Sequence, residues 1–547
     1  AYRLPGFDSE DFAAGLILAD VLDSRRGNLY ALVPEGKALY TNFEVDALPK
    51  AGFGNAVAAY PHGGDGNALV AAIKDIIAGY VRDGVPTDLV EAAKRHEANR
   101  AQFRKNSVPG LAGAWSQAVA VEGRTAPDDL IAAVEKVTAD DVARVARKYL
   151  NNDTAITAVL TPRPAETPAT SRGSGRGESF APDRMTSAAL PGWAEKADIV
   201  PAPPPPKGKP VVTRLSNGIR LIVRTESVSP TVTVIGQVKN NRHLSEPAGK
   251  EGVSSILEDL FDYGTVSLDR LAFQKAQDDI GADISVGASF SCRSSSDRFE
   301  QATKLLADNL LRPALPEAAF AVVKEETIAA LAGRIRSPGY LSGRVLREGL
   351  FPEADPALRD ATPGTAAAVS LQDVKSYYRK VFRPDMTTIV VIGDVSAKRA
   401  RAAVTRYFGA WKAAGAKPET DLSAVPLNRP SFAAVPDASR VQDEVVLAET
   451  IGVTRSHPDY YRLELGNRVL SGAFYASRLY RDLREKAGLV YTVGSAVEAG
   501  KHRSLFRIVY GCDPPNVAKA RAMVEKDLAD MRMDPVTPEE LKRAKIL

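Results

Sequence analysis

Cysteine is nearly absent: Cys292 and Cys512, 220 positions apart, are the only two in 547 residues. That count excludes a disulfide-stapled scaffold and a four-thiolate zinc site, and says little about compartment or redox state. Histidine is almost as scarce. His62, His96, His243, His457 and His502 are the whole set, and no two lie within five residues of each other. No pair at helical spacing can therefore grip one metal ion. Neither sign of charge dominates, since 71 Lys plus Arg against 67 Asp plus Glu leave +4. That balance gives no expectation of nucleic-acid or membrane binding. A run of about 18 apolar residues is missing, so no membrane-spanning helix is expected. Gly249-Lys250 is not followed by Ser or Thr, Gly52-Phe53-Gly54 lacks a third glycine, and G-x-S-x-G does not occur. These gaps remove the P-loop, the dinucleotide fingerprint and the serine-hydrolase elbow. The chain opens at Ala1 without a charged and apolar leader, which is uninformative about export.

What is present is ordinary globular composition, 44% hydrophobic and 25% charged, at a length that suits three or four domains of about 150 residues. Residues 1–162 read as mixed α/β. Helical spacing covers 11–22, 67–80 and 89–101, with Asn67 as a candidate N-cap. His62-Gly63-Gly64-Asp65-Gly66 is a loop. Thr138 opens a helix that ends near Leu150, and the alternation over 154–160 predicts a strand. Residues 163–209 are rich in Gly, Ser and then Pro (Pro203 to Pro206) and form a linker. Strands over 211–215 and 219–225 flank Ser216-Asn217-Gly218, a strong hairpin signal. A third strand covers 231–238. Ser370 caps a helix to Phe382, and 387–392 is an apolar strand. A looser joint spans 416–431.

The pieces then recur. Asp11, Val21 and Leu22 match Asp459, Val469 and Leu470 at identical offsets. Leu29-Tyr30 and Tyr40-Thr41 match Leu479-Tyr480 and Tyr491-Thr492, and Ala93-Lys94 matches Ala544-Lys545. Three collinear sets about 450 residues apart indicate duplication of a large unit. A shorter echo links Asp141-Val142 and Arg147-Lys148 to Asp373-Val374 and Arg379-Lys380.

Two stretches could carry chemistry. In 246–265, Val253, Ile256, Leu257, Leu260 and Phe261 form the apolar stripe of a buried helix. Ser255, Glu258, Asp259 and Asp262 share another face. Two His at the positions of Ser255 and Asp259 would make the inverted zinc motif H-x-x-E-H, whose Glu deprotonates the metal-bound water. Only Glu258 of that set stands here. Serine is a poor zinc ligand, so the helix reads as amphipathic with a solvated acidic face, and Glu325-Glu326 read as surface charges. The second stretch runs from Leu483 to Tyr491. A helix ending at Lys486, with Leu479 and Leu483 inward and Gly488 as its C′ residue, leads into a strand over 489–493. Arg484 and Tyr491 could then reach one cleft and bind a peptide carbonyl or the oxyanion formed from it. The alternative is an Arg complementing a helix C-terminus beside a half-buried Tyr.

The frame E-x-x-G-x-x-G (Glu246, Gly249, Gly252), the Gly264-Thr265 that follows, the Asn217-Gly218 hairpin and L-R-x-x-x-x-x-x-Y from Leu483 to Tyr491 together resemble the pitrilysin/insulinase family of zinc peptidases. The resemblance covers nearly the whole chain. It implies α+β domains, each a mainly antiparallel sheet packed against helices and repeated as two clamshell halves. On this reading 1–162 is the second of four such domains and 163–209 the linker between halves. Residues 210–415 are the third domain, with the degenerate motif, 416–431 a connector, and 432–547 a fourth domain cut short. The family's zinc motif lies in its first domain and its Arg/Tyr pair in its last. Arg484 and Tyr491 are thus implied to contact peptide substrates, while zinc is bound by residues outside this chain. The first-copy counterpart, Leu32 to Tyr40, has no Arg. Residues 1–547 alone are expected to bind no zinc and to cleave nothing, requiring a zinc-bearing domain or a catalytic partner subunit. The alternative is a non-catalytic or structural subunit of a pitrilysin-like heterodimer. Relatives with such a Pro-rich linker imply a periplasmic location.

Overall fold

The computed structural model describes residues 1–61, 63–161, 209–437, 440–472 and 476–546. The expected linker, Lys209 excepted, and His62 of the loop at 62–66 lie outside the described residues. The chain divides into two compact units. Among the described residues, one comprises 1–161, 209–333 and 361–420, and the other 334–360 and 421–546.

The first unit holds two hydrophobic cores. Around one of them, β1 (Tyr2–Leu4), β2 (Tyr40–Ala47) and β3 (Gly52–Ala59) form an antiparallel sheet in the order β1-β3-β2. The helix Phe12–Leu22 buries Ile17, Leu18, Val21 and Leu22 completely. Helices Gly66–Asp83, Thr87–Arg104 and Ala139–Tyr149 contribute Ile77, Val90 and Val142 to the same core. The N-cap of Gly66–Asp83 is Asp65, whose carboxylate accepts from the backbone N–H groups of Asn67 and Ala68. Asn67 is therefore not the cap; the acceptor must sit before the first turn, where the orphan N–H groups point. Thr138 caps its helix as expected, with Asp141 completing a capping box. The strand expected over 154–160 does not form. Its backbone pairs at Ile156 with Ala1, whose amine donates to the Ile156 carbonyl at 2.8 Å and whose carbonyl accepts from the Ile156 N–H at 3.1 Å, and one such pair makes no ladder.

Around the second core, β4 (Val211–Arg214), β5 (Arg220–Thr225), β6 (Thr231–Val238), β7 (Asp283–Ser285), β8 (Ser289–Ser295) and β9 (Thr387–Gly393) form a six-stranded sheet ordered β4-β5-β9-β6-β8-β7. All its pairs are antiparallel except β5 with β9. The β4–β5 turn needs Gly218: its φ is 98°, and a Cβ there would lie 2.9 Å from the Asp385 Cα. Helices Val253–Leu260, Phe299–Leu311, Leu371–Val381 and Ala397–Phe408 bury their apolar stripes in this core. The Ser370 cap repeats the Thr138 device, with Asp373 as its partner. The short echo between 141–148 and 373–380 is thus two copies of one capped helix.

Polar contacts join the two halves of this unit. Asp278, near the end of the helix Arg270–Ile280, accepts from Arg26 at 2.6 Å and lies 3.1 Å from His96 Nε2. Arg95 donates to the Asp278 carbonyl, and Asn99 to the Gly281 carbonyl.

The second unit is built on β10 (Asp443–Ile451), β11 (Val490–Ala499) and β12 (Ser504–Cys512), antiparallel in the order β10-β12-β11. This is the first-third-second order of β1, β2 and β3, and helices Val517–Met533 and Pro538–Ile546 follow as Gly66–Asp83 and Thr87–Arg104 do. The repeat read in the sequence is a repeat of structure. Leu479, Leu483, Tyr510 and Val524 fill this core. Both cysteines are free and buried, and burial raises both thiols.

Candidate functional site

The frame around the degenerate motif is a structural device. Glu246 is buried, and its Oε1 accepts from the Gly252 N–H at 3.2 Å, the Ser254 N–H at 3.0 Å and the Ser254 hydroxyl at 2.6 Å. It therefore caps the helix Val253–Leu260 from outside its first turn and places a negative charge at the positive helix end. Gly249 and Gly252 have φ of 75° and 108°, which side chains avoid. At the other end Gly264 has φ 89°, and a Cβ there would come within 2.4 Å of the Leu268 carbonyl oxygen. The Asn309 amide donates to the Phe261 and Gly264 carbonyls, satisfying the end of the turn. Val253, Ile256, Leu257 and Leu260 are fully buried, each contributing about 1.5–3 kcal/mol by removal from water.

The polar face of the same helix points outward, with Ser255, Glu258 and Asp259 exposed. Asp262 pairs with Arg25 at 3.1 Å, and the guanidinium groups of Arg25 and Arg270 stand 5.8 and 5.5 Å from the Tyr30 ring centre. Glu326 differs from the expectation for it. Glu325 is a surface charge, but Glu326 is half-buried, its Oε1 enclosed without a hydrogen-bond partner among the described residues. Burial, then the negative charge of Asp259, pushes its carboxyl up to about 7. Asp259 is raised as well, by its crowded surroundings and then by Asp262 and Glu258; water reaching its exposed surface limits that rise. The donor set does not suit zinc. Serine is a weak ligand, no histidine is at hand, and the described residues contain no group of three His, Cys, Asp or Glu placed to hold a metal.

The second unit places Arg484 and Tyr491 side by side. The segment Tyr480–Lys486 is a π-helix rather than the expected α-helix, a geometry that recurs at functional sites. Leu479 and Leu483 point inward as expected, and Gly488 has φ 60°. The wider turn brings the Arg484 guanidinium to 4.9 Å from the Tyr480 ring centre, a cation–π contact. Its Nη1 donates to the Tyr491 backbone carbonyl at 2.8 Å. Along β11, Val490 pairs with Cys512 and Thr492 with Gly511, so Tyr491 is the extra residue of a β-bulge. A bulge re-aims its side chain away from the strand's alternation. Arg484 thus fastens the bulge through the backbone of Tyr491 while both side chains stay partly open to solvent. Sequence reasoning found the pair and missed the bulge, the π-turn and Tyr480; the repeat match of Leu479-Tyr480 to Leu29-Tyr30 was a signal for the last. That match has a structural counterpart. Tyr30 stands beside the degenerate motif, its hydroxyl held up by burial and by the Asp262 charge.

Residues 368–547 match the family described as the peptidase M16 inactive domain. An uncharacterised zinc protease of Bacillus subtilis, YmxG, is 23% identical over 60% of this chain and 80% of its own length. A peptidase M16 inactive domain from Pseudomonas fluorescens superposes on 62% of this chain and 82% of its own with TM-score 0.54 and 23% identity. The periplasmic protease PqqL of Escherichia coli matches all of this chain at TM-score 0.54 and 15% identity, and the chain spans 63% of that structure.

Proposed function

We propose that this chain, which belongs among the zinc-protease-like peptidase M16 proteins and carries their inactive domain, presents the Arg/Tyr substrate-contacting face of a zinc endopeptidase for unstructured peptides. The observation that carries the reading is the Arg484–Tyr491 arrangement. A guanidinium fixed by a cation–π contact and a bulge carbonyl has donors to spare, and Tyr491, where β11 bulges, is partly open to solvent. Two such donors can bind a peptide carbonyl and hold the charge of a tetrahedral intermediate. The fold supplies an internal precedent. In the first unit the segment bearing Arg25 and Tyr30, the counterpart of the one bearing Tyr480, lies against the helix that carries the motif frame. By the same logic the segment Tyr480–Tyr491 serves a motif helix that retains its histidines and is supplied from outside the described residues. Zinc belongs to that part. The peptide is enclosed there in a chamber, and the assembly works in the periplasm, as the neighbour PqqL is described.

The test is hydrolysis of a quenched-fluorescence peptide by the native zinc-containing assembly. Arg484→Ala is expected to lower turnover by roughly 10²–10³, the range for losing one oxyanion donor, with the circular dichroism spectrum unchanged. Unchanged turnover in a folded variant overturns the assignment. The second reading is a non-catalytic subunit paired with a separate zinc-bearing chain. An H-x-x-E-H in the same reading frame, roughly 100–150 residues upstream of Ala1 on ordinary domain sizes, decides for a single peptidase chain. A start codon and leader directly before Ala1 decide for the subunit.

A further inference from the structure

We propose that the groove between strand β4 and the helix Ala397–Phe408 docks an extended acidic peptide segment, which adds to the six-stranded sheet as a further strand. The groove holds about 570 Å³ and is lined by Val211 and Thr213 of β4 and by Ala397, Ala402 and Thr405 of the helix. Among the described residues β4 is an edge strand, bonded only to β5. The Leu215 N–H donates to the Ile219 carbonyl across the hairpin. By the alternation of an antiparallel ladder, Val211 and Thr213 also turn their backbone groups towards β5, while Val212 and Arg214 turn theirs outward. The outer edge therefore offers N–H and C=O groups to an incoming strand. Val211 and Val212 of β4 are 49% and 54% exposed, apolar surface for an added strand to cover.

The rim sets the chemistry. Lys398, Arg401 and Arg406 line the groove, are exposed, and form no ion pair among the described residues. Arg399, on the same helix but off the groove, is committed to Glu300 at 3.2 Å and stands over Phe299. The three groove cations span about 12 Å at 1.5 Å per helical residue. An extended strand advances about 6.6 Å over two residues, comparable with the steps of about 4.5 and 7.5 Å between successive cations along the helix, so carboxylates at alternate positions face the cations while the residues between them turn to the opposite face of the sheet. The opposing account is that the cations merely guard a free edge against pairing.

The experiment uses the whole chain and a fluorescein-labelled octapeptide alternating Glu and Val, followed by fluorescence anisotropy. Saturable binding that weakens with added salt is expected. The double variant Lys398→Glu/Arg401→Glu should weaken it at least tenfold. Val212→Pro removes one outward N–H and leaves the β4–β5 ladder intact; it should also weaken binding at least tenfold at an unchanged melting temperature. No binding overturns the proposal in favour of a guarded edge. Binding that survives Val212→Pro but is displaced by inorganic polyphosphate of equal charge overturns it in favour of a plain anion site. If Val212→Pro unfolds the chain, the double variant and a peptide with Pro in place of its Val residues decide. Retained affinity for the Pro peptide then refutes strand addition.

Discussion

Replacing Glu326 by Gln should stabilise the first unit, and only at neutral and higher pH. Glu326 sits half-buried with one oxygen enclosed, facing the charge of Asp259, while Asp262 is paired with Arg25. Its carboxyl is raised from 4.5 to about 7. The folded protein then holds a proton that the unfolded chain has released, so stability is greatest below about pH 4.5 and falls as pH rises through 7. At full burial the penalty at pH 8 would be roughly 3 kcal/mol. Solvent at the half-exposed carboxyl reduces it to about 1–2 kcal/mol. Gln keeps the shape and cannot ionise. Urea unfolding followed by tryptophan fluorescence, to which Trp411 against the second core contributes, should give the variant that advantage at pH 8 and none at pH 4. An equal effect at both pH values would show that shape rather than charge is responsible. Destabilisation at pH 8 would show that the carboxylate is used by the fold, and would refute the reasoning.

Glu246→Ala strips the cap from Val253–Leu260 and leaves two N–H groups and a hydroxyl without their acceptor; a loss of about 2–3 kcal/mol is expected in denaturant unfolding. In the second unit Glu540 takes a two-pronged bond from Arg478, 2.9 Å on each arm, and this and its Thr537 contacts hold it near 2. Its stabilising contribution should be complete above about pH 4.5 and fade as pH falls towards 2. Glu540→Gln should cost roughly 3–5 kcal/mol by leaving Arg478 buried and unpaired, measurable by thermal melting at pH 7. Ser255→His with Asp259→His restores two imidazoles four residues apart, with Glu326 close by as a third donor. Zinc should raise the melting temperature of that variant and leave the parent unchanged, as read by calorimetry with and without the metal.

Much of this was legible because local rules and tertiary packing agree at the relevant residues. The stripe Val253, Ile256, Leu257, Leu260 is both a helical pattern and a core face. Ser370 and Thr138 cap helices with their own side chains, and Asn217-Gly218 turns because glycine accepts the positive φ of 98° at 218. What could not be read depends on partners distant in sequence. Glu326 looked like a surface charge because its enclosure comes from helix packing and from Asp259, 67 positions earlier. The segment 154–160 has strand composition but finds no strand to pair with. The parallel β5–β9 contact joins residues about 168 apart, beyond any periodicity. The π-turn at Tyr480–Lys486 and the bulge at Tyr491 are one-residue insertions in otherwise regular elements, which patterns of period 3.6 or 2 do not register.

The degenerate motif separates into two kinds of position, and the separation explains why a zinc-site frame persists without its ligands. Glu246, Gly249, Gly252 and Gly264 each carry a backbone requirement: a cap, two left-handed turns, and a close approach to the Leu268 carbonyl. Losing any of them disturbs a helix that supplies four fully buried side chains to the core. Ser255, Glu258 and Asp259 carry no such requirement, because they are exposed and, among the described residues, make no side-chain bond that holds the helix in place. A metal ligand is retained only by the metal; a capping carboxylate is retained by the fold. The Arg484–Tyr491 segment combines both constraints, since the guanidinium that faces solvent is also the donor that fastens the bulge. Arg484→Lys keeps the charge but loses the planar fork, so it should disturb the strand entry at Tyr491 as well as any substrate contact, whereas changes at Ser255 or Glu258 should leave the fold unaltered.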